Sequence, residues 1–403
     1  MPGQYKHLAP ALASDPANQV IFLTKEGKPQ IEGIEQRTYK VARGITQNIH
    51  PYLRRLEDQV LHGQAVVRTG IDLVAEGFQP DVICAHSGWG EALFLREVFP
   101  DARILVYCEF FYRSRGADTD FNPNQQQSID SVCRTRMNNT HMLVSLEAAD
   151  WGFSPTEWQR SRHPQQLRDK IAVVHDGVDT EICQAQPDAW LDLPNGKRLN
   201  VGDEVVTYLA RNLEQYRGFD QFMQSLGEIC RRRPNAEIVV VGGDEVSYGD
   251  RPSTDENWRE RMLASCPLDP FRVHFLGRVP YNTYRRILSI SSAHIYLTYP
   301  FVLSWSALEA MSHECLLIAS NTTPVTEVIE DGVNGVLVDF FDPRALADVV
   351  CKALESPDEY AGIRAAARET VVSKYDLRTV CLPAQLDLVK KVASGEWSAR
   401  GDL

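Results

Sequence analysis

Residues 295–320 decide the fold class, and they read IYLTYPFVLSWSALEAMSHECLLIAS. The runs 295–298 and 316–319 are continuous apolar stretches of strand length. Between them, Ser304 is a typical N-cap residue that precedes a short helical stretch at 307–311. A strand, a helix and a second apolar strand in this order predict a parallel sheet that is covered on both faces.

The same alternation of apolar runs and helical patterns continues through the chain. The predicted strands lie at 20–24, 82–85, 104–108, 142–146, 171–174, 205–210, 238–241, 273–276, 295–298 and 316–319. A turn-rich stretch at 184–203 has no helical periodicity and indicates a domain boundary. We therefore expect an α/β protein of two Rossmann-like domains, at 1–190 and 191–375, that face each other across a cleft. A C-terminal helix in 376–403 is expected to pack back towards the first domain.

Composition excludes several classes of function. Apolar residues make up 43% of the chain, and 42 basic against 54 acidic residues give a net charge of -12. An acidic chain without a basic half argues against nucleic-acid binding. The nine cysteines are dispersed and form no Cys-x-x-Cys pair, which argues against a zinc site or a disulfide framework. Without an apolar run of membrane-span length or a signal peptide, we expect a cytoplasmic protein, at most peripheral at the inner face of the membrane.

The turn after the strand 295–298 is the first candidate binding site, because ligands of open parallel sheets bind at the carboxyl ends of strands. Backbone N–H groups at 304–306, with the positive end of the helix dipole, would hold an anion such as a diphosphate. The turn contains Phe301, Val302, Leu303, Ser304, Trp305 and Ser306. Glu309 lies about one turn inside the helix, where it is either a surface carboxylate or an acceptor for vicinal sugar hydroxyls.

Two further loops follow strands in the second half. Arg211 and Arg217 follow the strand 205–210, and two guanidinium groups on one loop can grip phosphate oxygens. The alternative is a solvated loop that happens to contain two arginines. Gly242 and Gly243 close the strand 238–241 and give the freedom that a close backbone approach needs.

Loops of the first half contain candidate sugar-binding residues. His86, Trp89 and Glu91 follow the strand 82–85; an aromatic face packs on sugar rings, and His and Glu bond hydroxyls. The alternative is a structural turn with Trp89 in the core. Glu109 ends the next strand, close in sequence to Tyr112, and is either functional or satisfied by helix N-termini.

Other catalytic motifs are absent or unconvincing. Asp118 and Asp120 form a D-x-D triplet, which we discard because no apolar strand immediately precedes it. The sequence has no P-loop, no G-x-G-x-x-G and no G-x-S-x-G, so kinase and hydrolase functions lack support. No metal site is predicted.

Together these stretches resemble the family-4 retaining glycosyltransferases of GT-B fold, over nearly the whole chain. Residues 308–311 (LEAM) and 325–338 (VTEVIEDGVNGVLV) look like the donor-site block of that family. Arg211 and Arg217 occupy its Arg and Lys positions. The segment 275–279 (FLGRV), which contains Arg278 and Val279, looks like the one whose backbone contacts the nucleotide base.

The resemblance implies a metal-independent hexosyltransferase that uses a nucleotide-diphosphate sugar as co-substrate and needs no cofactor. A UDP-sugar is favoured, with UDP-glucose the best guess, and the implied acceptor is a glycan or glycolipid of bacterial polysaccharide synthesis. Glu309 would bind the ribose hydroxyls, while Arg211 and Arg217 would stabilise the leaving diphosphate; Glu109 is a further catalytic candidate. Two alternatives stay open, a non-catalytic sugar-nucleotide-binding protein and another GT-B enzyme such as an epimerase or a phosphorylase. The oligomeric state is not predicted.

Three departures from the family pattern matter. The second Glu of the E-x7-E pattern is Glu309, but its first position is Phe301, so other groups must do the work of that carboxylate. Glu109 stands where the family often has His. Relatives have a strand before the loop at which this chain begins. We therefore expect a truncated or misplaced start at Met1, a helix near 4–14, an unfilled strand position in the first sheet, and Gly3 as the glycine that faces the phosphates.

Overall fold

The computed structural model describes residues 3–28, 30, 31, 33–252 and 255–396. Its contacts divide the chain into two compact units: unit 1 is Met1–Gly177 with Arg378–Leu403, and unit 2 is Val178–Leu377. The turn-rich stretch at 184–203, where the sequence predicts the domain boundary, lies in unit 2, shortly after this division. The expectations for Met1 and for 397–403 lie outside the described residues.

Unit 1 contains two parallel sheets. Its strands are β1 Ile21–Lys25, β2 Glu35–Tyr39, β3 Val82–His86, β4 Arg103–Tyr107, β5 Trp151–Ser154 and β6 Ile171–Val173. β1 pairs with β2, and the other four form a sheet of order β3-β4-β5-β6. Within the described ranges the two sheets do not pair with each other. Strands of both sheets nevertheless pack into the same two hydrophobic cores. Leu23 and Ile83 pack into one core, and Phe22 and Val82 pack into the other.

The helices of unit 1 cover these sheets. After a short 3-10 helix at Gly3–Tyr5, they are α1 Leu8–Ala13, α2 Arg54–Ala75, α3 Leu95–Val98, α4 Ile129–Met137, α5 Thr140–Ala148, α6 Glu157–Arg162 and α7 Gln165–Arg168. The prediction of a strand at 142–146 is wrong, because these residues lie in α5. Met142 and Leu146 are buried whereas Leu143 and Val144 are exposed, which is helical spacing. A short apolar run does not distinguish a strand from a buried helix.

Unit 2 is built on one six-stranded parallel sheet. The eight strands of unit 2 are β7 Trp190–Asp192, β8 Arg198–Asn200, β9 Val205–Asn212, β10 Glu237–Gly243, β11 Val273–Phe275, β12 Ala293–Tyr296, β13 Leu317–Ser320 and β14 Val336–Val338. β7 and β8 form a separate antiparallel hairpin, and the parallel sheet has the order β11-β10-β9-β12-β13-β14. From β9 the chain proceeds to β10 on one side and later to β12 on the other. The carboxyl ends of β9 and β12 are therefore the topological switch point, where ligands of such sheets bind.

Helices cover both faces of this sheet. They are α8 Phe219–Arg232, α9 Trp258–Ser265, α10 Tyr281–Ser289, α11 Trp305–Ser312, α12 Thr323–Thr326, α13 Pro343–Glu355 and α14 Ala361–Tyr375. In α8, Phe219, Phe222, Met223 and Leu226 are fully buried, which is the spacing of an amphipathic helix. The last helix, α15 Leu382–Ser394, belongs to unit 1 and packs against β3 and β4.

Candidate functional site

A partly buried guanidinium lies at the switch point of unit 2. Arg217 ends the 3-10 turn that follows β9, and its Nη1 donates to Thr298 Oγ1 at 2.7 Å and to the Val302 carbonyl at 3.2 Å. It also donates to the Tyr296 hydroxyl at 3.3 Å. Burial lowers the pKa of Arg217, but the neighbouring oxygens of Tyr296 and Tyr248 raise it above its ordinary value. The structure therefore holds a permanent positive charge in a fixed position.

Glycine is required where this loop turns into α8. Gly218 has a φ of +67°, and a Cβ at this position would lie 2.4 Å from Leu297 Cβ. A side chain would meet both backbone strain and a steric clash. The sharp turn fixes the neighbouring Arg217.

At the amino terminus of α11, more backbone N–H groups have hydrogen-bond partners within the protein than the sequence indicated. Ser304 is the N-cap, and its Oγ accepts a hydrogen bond from the Ser306 N–H at 3.3 Å. The Ser304 N–H itself donates to the Tyr296 hydroxyl at 2.8 Å. The backbone donors of Ser304 and Ser306, which were expected to be open, thus already have partners. The helix dipole and the nearby Arg217, more than open N–H groups, give this site its positive potential.

Glu309 is oriented by two tyrosines of α10. Its Oε1 accepts from the Tyr281 hydroxyl and its Oε2 from the Tyr284 hydroxyl, each at 2.8 Å. The two rings are stacked, with centroids 5.7 Å apart. Burial and the charge of Glu309 raise the pKa of both tyrosines, so both remain hydrogen-bond donors. Both carboxylate oxygens of Glu309 accept hydrogen bonds. The side chain is therefore held in one orientation, unlike a mobile carboxylate on the surface.

Arg211 contrasts with Arg217 and does not share one loop with it as expected, because Arg211 belongs to β9 and Arg217 to the turn that follows. Arg211 lies near the end of β9 and is exposed. No acceptor among the described residues holds its guanidinium. Arg211 is therefore available to a ligand.

The two glycines that end β10, Gly242 and Gly243, make room for the protein's own side chains. A Cβ on Gly242 would lie 2.7 Å from Leu213 Cδ2, and one on Gly243 would lie 2.6 Å from Asn212 Oδ1 and 2.8 Å from Arg278 Nε. The close approach predicted for a ligand is thus made by these side chains. Arg278 donates to Asn212 Oδ1 at 3.0 Å and to Glu245 at 2.7 Å, and Val279 packs against the core of unit 2.

An aromatic cluster occupies the first position of the E-x7-E pattern. Phe301 is buried, and its ring lies 5.9 Å from that of Tyr216 and 5.1 Å from that of Tyr248. The next residue but one, Leu303, belongs to the hydrophobic core of unit 2 and does not line the turn as expected. Val302 contributes its carbonyl to Arg217.

Sequence reasoning missed Glu214. Its buried carboxylate accepts from the backbone N–H groups of Ser247, Tyr248 and Gly249 at 3.2, 3.0 and 2.9 Å. These bonds fix the loop that places the Tyr248 ring 5.2 Å from the Arg217 guanidinium. Only the position of Glu214 in a loop that follows a strand could have indicated this role.

In unit 1 the structure brings together His86 and Glu109, which the sequence offered separately. His86 ends β3, and its Nδ1 accepts from the Gly88 N–H at 2.9 Å. This assigns the ring proton to Nε2, which lies 3.6 Å from Glu109 Oε2. Glu109 Oε1 also accepts from Gln4 Nε2 at 3.2 Å, and Gln4 follows Gly3 in the first turn.

The other candidates of unit 1 fall into two kinds. Trp89 is 53% exposed, so the alternative that placed it in the core is wrong. Glu91, by contrast, accepts from the Tyr39 hydroxyl at 2.6 Å, and burial together with Glu91 raises the pKa of Tyr39. The backbone of Tyr112 is clamped by the Asn139 side chain, with both bonds at 2.9 Å. Trp89 is thus exposed for a ligand, while Glu91 and Tyr112 have structural partners.

Metal-binding clusters and membrane-spanning helices are both absent from the described ranges. No group of three or more His, Cys, Asp or Glu side chains there could hold a metal ion. Asp120 of the D-x-D triplet instead accepts from the N–H groups of Gly116 and Ala117. No helix in the described part of the chain is both long enough and apolar enough to span a bilayer.

Structural comparison defines the class of protein. A sucrose-phosphate synthase from Thermosynechococcus elongatus superimposes with a TM-score of 0.71 and 16% identity, covering 95% of this chain and 92% of that one. HepE from Anabaena, solved in complex with UDP, has a TM-score of 0.63 and 15% identity, covering 93% and 100%. The fold is GT-B, with two Rossmann-like domains.

Sequence comparison then gives the family. Residues 16–183 match the family model described as "Glycosyl transferase family 4 group", and residues 192–370 match "Glycosyl transferases group 1". The two matches together span most of the chain, which belongs to these glycosyltransferases.

Curated relatives are distant. A GDP-mannose-dependent alpha-(1-6)-phosphatidylinositol monomannoside mannosyltransferase from Mycolicibacterium smegmatis is 24% identical over 56% of this chain and 58% of its own length. The alpha-maltose-1-phosphate synthase of the same species is 24% identical over 62% and 65%. The chain thus matches these curated relatives over less than two thirds of their length.

Proposed function

We propose that this protein transfers a hexose from a nucleotide-diphosphate sugar to a glycan or glycolipid acceptor, with retention of configuration and without a metal. One observation carries the proposal: Arg217 is fixed at the amino terminus of α11, and the oriented carboxylate of Glu309 lies on the same helix. Glu309 lies five positions after Ser304, which is ~7.5 Å along a helix axis. That spacing suits a nucleotide whose diphosphate binds at the amino terminus of α11, the positive end of the helix dipole, and whose ribose hydroxyls bind Glu309.

The chemistry would be a displacement at the anomeric carbon. The bond from that carbon to the diphosphate oxygen breaks, and a bond to the acceptor hydroxyl oxygen forms. Arg217, Arg211 and the helix dipole stabilise the negative charge that grows on the leaving diphosphate. On a front-face route the leaving oxygen takes the acceptor proton, so no strong protein base is needed. His86 and Glu109 of unit 1 would orient the acceptor hydroxyl.

We favour a UDP-hexose donor, UDP-glucose first, and an acceptor of bacterial polysaccharide synthesis at the cytoplasmic side of the membrane. One structure of HepE was solved with UDP-glucose. The name of the mycobacterial mannosyltransferase, in contrast, specifies GDP-mannose. A thermal-shift and turnover panel of UDP-, GDP- and ADP-sugars distinguishes these donors, and the same assays with EDTA test the metal. Activity lost in EDTA and restored by Mn²⁺ would contradict the metal-independent route.

Glu309→Ala tests the placement of the donor. A charged hydrogen bond contributes ~1.5–3 kcal/mol, so we expect UDP affinity to fall about ten- to a hundredfold. Because the ribose changes little during the reaction, much of the loss should appear in KM. Glu359→Ala removes an exposed carboxylate of the same unit and serves as the control. Unchanged UDP affinity in Glu309→Ala, measured by calorimetry, would show that the donor binds elsewhere.

A second candidate function, a non-catalytic sugar-nucleotide-binding protein, is favoured by one observation. The aromatic ring of Phe301 packs where the family pattern has a carboxylate. Donor binding with neither transfer nor slow donor hydrolysis would support this alternative. Conversion of the donor sugar to its epimer without any acceptor would instead support an epimerase.

A further inference from the structure

Four arginines of unit 1 lie together around the end of α6. Arg113 Nε donates to the Arg162 carbonyl at 2.8 Å, and Arg162 Nη1 donates to the Gly116 carbonyl at 2.9 Å. Arg168 Nε donates at 2.8 Å to the carbonyl of His163, the residue that follows Arg162. The positive charge of Arg136 on α4 contributes, after burial and Arg168, to lowering the pKa of Arg113. We call these four residues the arginine cluster.

The positive charge of the arginine cluster is not neutralised by the protein. In the described part of the chain, no carboxylate lies within 4.0 Å of any of the four guanidinium groups. Burial, and then the charges of the other arginines, lower the pKa of Arg113 and of Arg162. His163 beside them is neutral, because burial lowers its pKa to about 4. Like charges held together without a counter-ion are costly unless an anion joins them.

Two acidic side chains on neighbouring segments, Glu157 and Asp120, are engaged elsewhere. Glu157 pairs with Arg160 at 2.9 Å. Asp120 accepts from the backbone N–H groups of Gly116 and Ala117. These carboxylates form turns or pair outside the cluster, and they leave its charge uncompensated.

Arg113 and Arg168 keep the outer edges of their guanidinium groups available, whereas Arg162 also donates to Ser161 Oγ through Nε and Nη2, each at 3.3 Å. Arg162 lies over the Trp158 ring at 3.9 Å, and Arg113 lies over the Phe111 ring at 5.0 Å. Arg113 and Arg168 each use only Nε in a hydrogen bond, and their Nη groups have no acceptor among the residues that the structure describes. A stacked guanidinium with free Nη donors is suited to phosphate oxygens. The Nε bonds to carbonyls at the end of α6 explain why the side chains are ordered, but not why their charges are clustered.

We propose that the arginine cluster binds a phosphate or diphosphate ester group. The cluster adjoins the candidate acceptor residues, because Arg113 follows Tyr112. Gln159, one turn before Arg162 on α6, donates to the Glu109 carbonyl at 2.5 Å. The assignment of this phosphate to the acceptor rests on the proposed function; the anion site itself does not.

Calorimetry with inorganic pyrophosphate, in the presence of saturating UDP to occupy the donor site, tests the anion site. Arg113→Gln and Arg168→Gln should each weaken pyrophosphate binding about tenfold or more. Arg168→Lys keeps the charge without the planar fork and should fall in between. Arg37→Gln removes an equal charge from unit 1 at a guanidinium already paired with Glu35 and Glu76, and should change nothing.

A second arm identifies the source of the phosphate. Vesicles of phosphatidylcholine with and without phosphatidic acid are sedimented with the wild type and the same variants. Arginine-dependent binding to phosphatidic acid supports a lipid phosphate, whereas arginine-dependent binding of pyrophosphate alone supports a soluble one. No arginine-dependent binding in either arm overturns the proposal.

Thermal unfolding of each variant separates binding from structure. A purely structural cluster would lower the melting temperature of the Gln variants and leave pyrophosphate affinity unchanged, which also overturns the proposal. If the donor panel shows no UDP binding or transfer while pyrophosphate binding still depends on these arginines, the proposed function fails and the anion site stands.

Discussion

In unit 2, the charged groups proposed to hold the donor are fixed by other side chains of the same site. The Tyr296 hydroxyl contacts both Arg217 and the Ser304 N–H, and two tyrosines hold Glu309. In unit 1, Trp89 projects from its turn with half of its surface exposed, and His86 approaches Glu109 only to 3.6 Å. One proposed site is built before a ligand arrives, whereas the other is loosely arranged.

The difference has a physical reason. A diphosphate concentrates charge, so its site needs cations whose positions are preorganised and whose charge is not screened by water. A sugar acceptor offers hydroxyls and apolar faces, which an exposed aromatic ring and a few polar groups can bind. We therefore expect substitutions in unit 2 to change rate strongly, and those in unit 1 to change acceptor affinity modestly.

The largest expected effect is that of Arg217→Ala. Its charge lies where negative charge grows in the transition state, so kcat should fall by about 10²–10³ while UDP affinity falls less. Arg217→Lys should recover part of the activity, because a point charge at this position still acts. Arg211→Ala, near the end of β9 and without a partner that fixes the guanidinium, should lower kcat by a smaller factor. Steady-state kinetics with a saturating acceptor measures all three.

Folding has to be checked because Arg217 is partly buried and donates hydrogen bonds to three groups. Circular dichroism and urea unfolding of Arg217→Ala show whether the unit is intact. If Arg211→Ala lowers kcat as much as Arg217→Ala in folded protein, fixed geometry is not what distinguishes the two arginines.

The fold was largely predictable from the sequence, and unit 2 more so than unit 1. Continuous apolar strands such as 205–210 and 238–241 are buried on both faces and were placed within one or two residues. In unit 1 the run 142–146 is equally apolar but forms α5, and the strand used by the sheet is β5 at Trp151–Ser154. The composition of a short segment does not show whether it will pair with a distant strand, and this pairing decides between strand and helix.

The candidate site was predictable only where a residue acts from its own loop. Arg217 and Ser304 were marked by their positions after a strand and before a helix. Glu214, Tyr281 and Tyr284 were not, because each acts through a partner on another segment of the chain. Partners that are distant in sequence leave no local pattern.

An intermediate effect is expected for Trp89→Ala. An aromatic contact contributes ~0.5–1.5 kcal/mol, so the KM for the acceptor should rise roughly three- to tenfold. UDP affinity should not change, and Trp89→Phe should keep most of the acceptor affinity. Since the side chain is half-exposed, stability should hardly alter. A rise in the donor KM with an unchanged acceptor KM would show that Trp89 does not contact the acceptor.

The smallest expected effects concern the two tyrosines that hold Glu309, and they differ in sign. The half-exposed Tyr281 and the more enclosed Tyr284 each donate to one oxygen of this carboxylate. Ribose hydroxyls that bind Glu309 must replace the more accessible donor, so Tyr281→Phe should strengthen UDP binding about two- to fivefold, because the competing bond is gone. Tyr284→Phe should weaken it by a similar factor, because the carboxylate loses a bond that orients it. Calorimetric titration of UDP into both variants measures the pair under one set of conditions. Equal weakening in both would mean that the two hydroxyls only position Glu309 and that the ribose does not displace Tyr281.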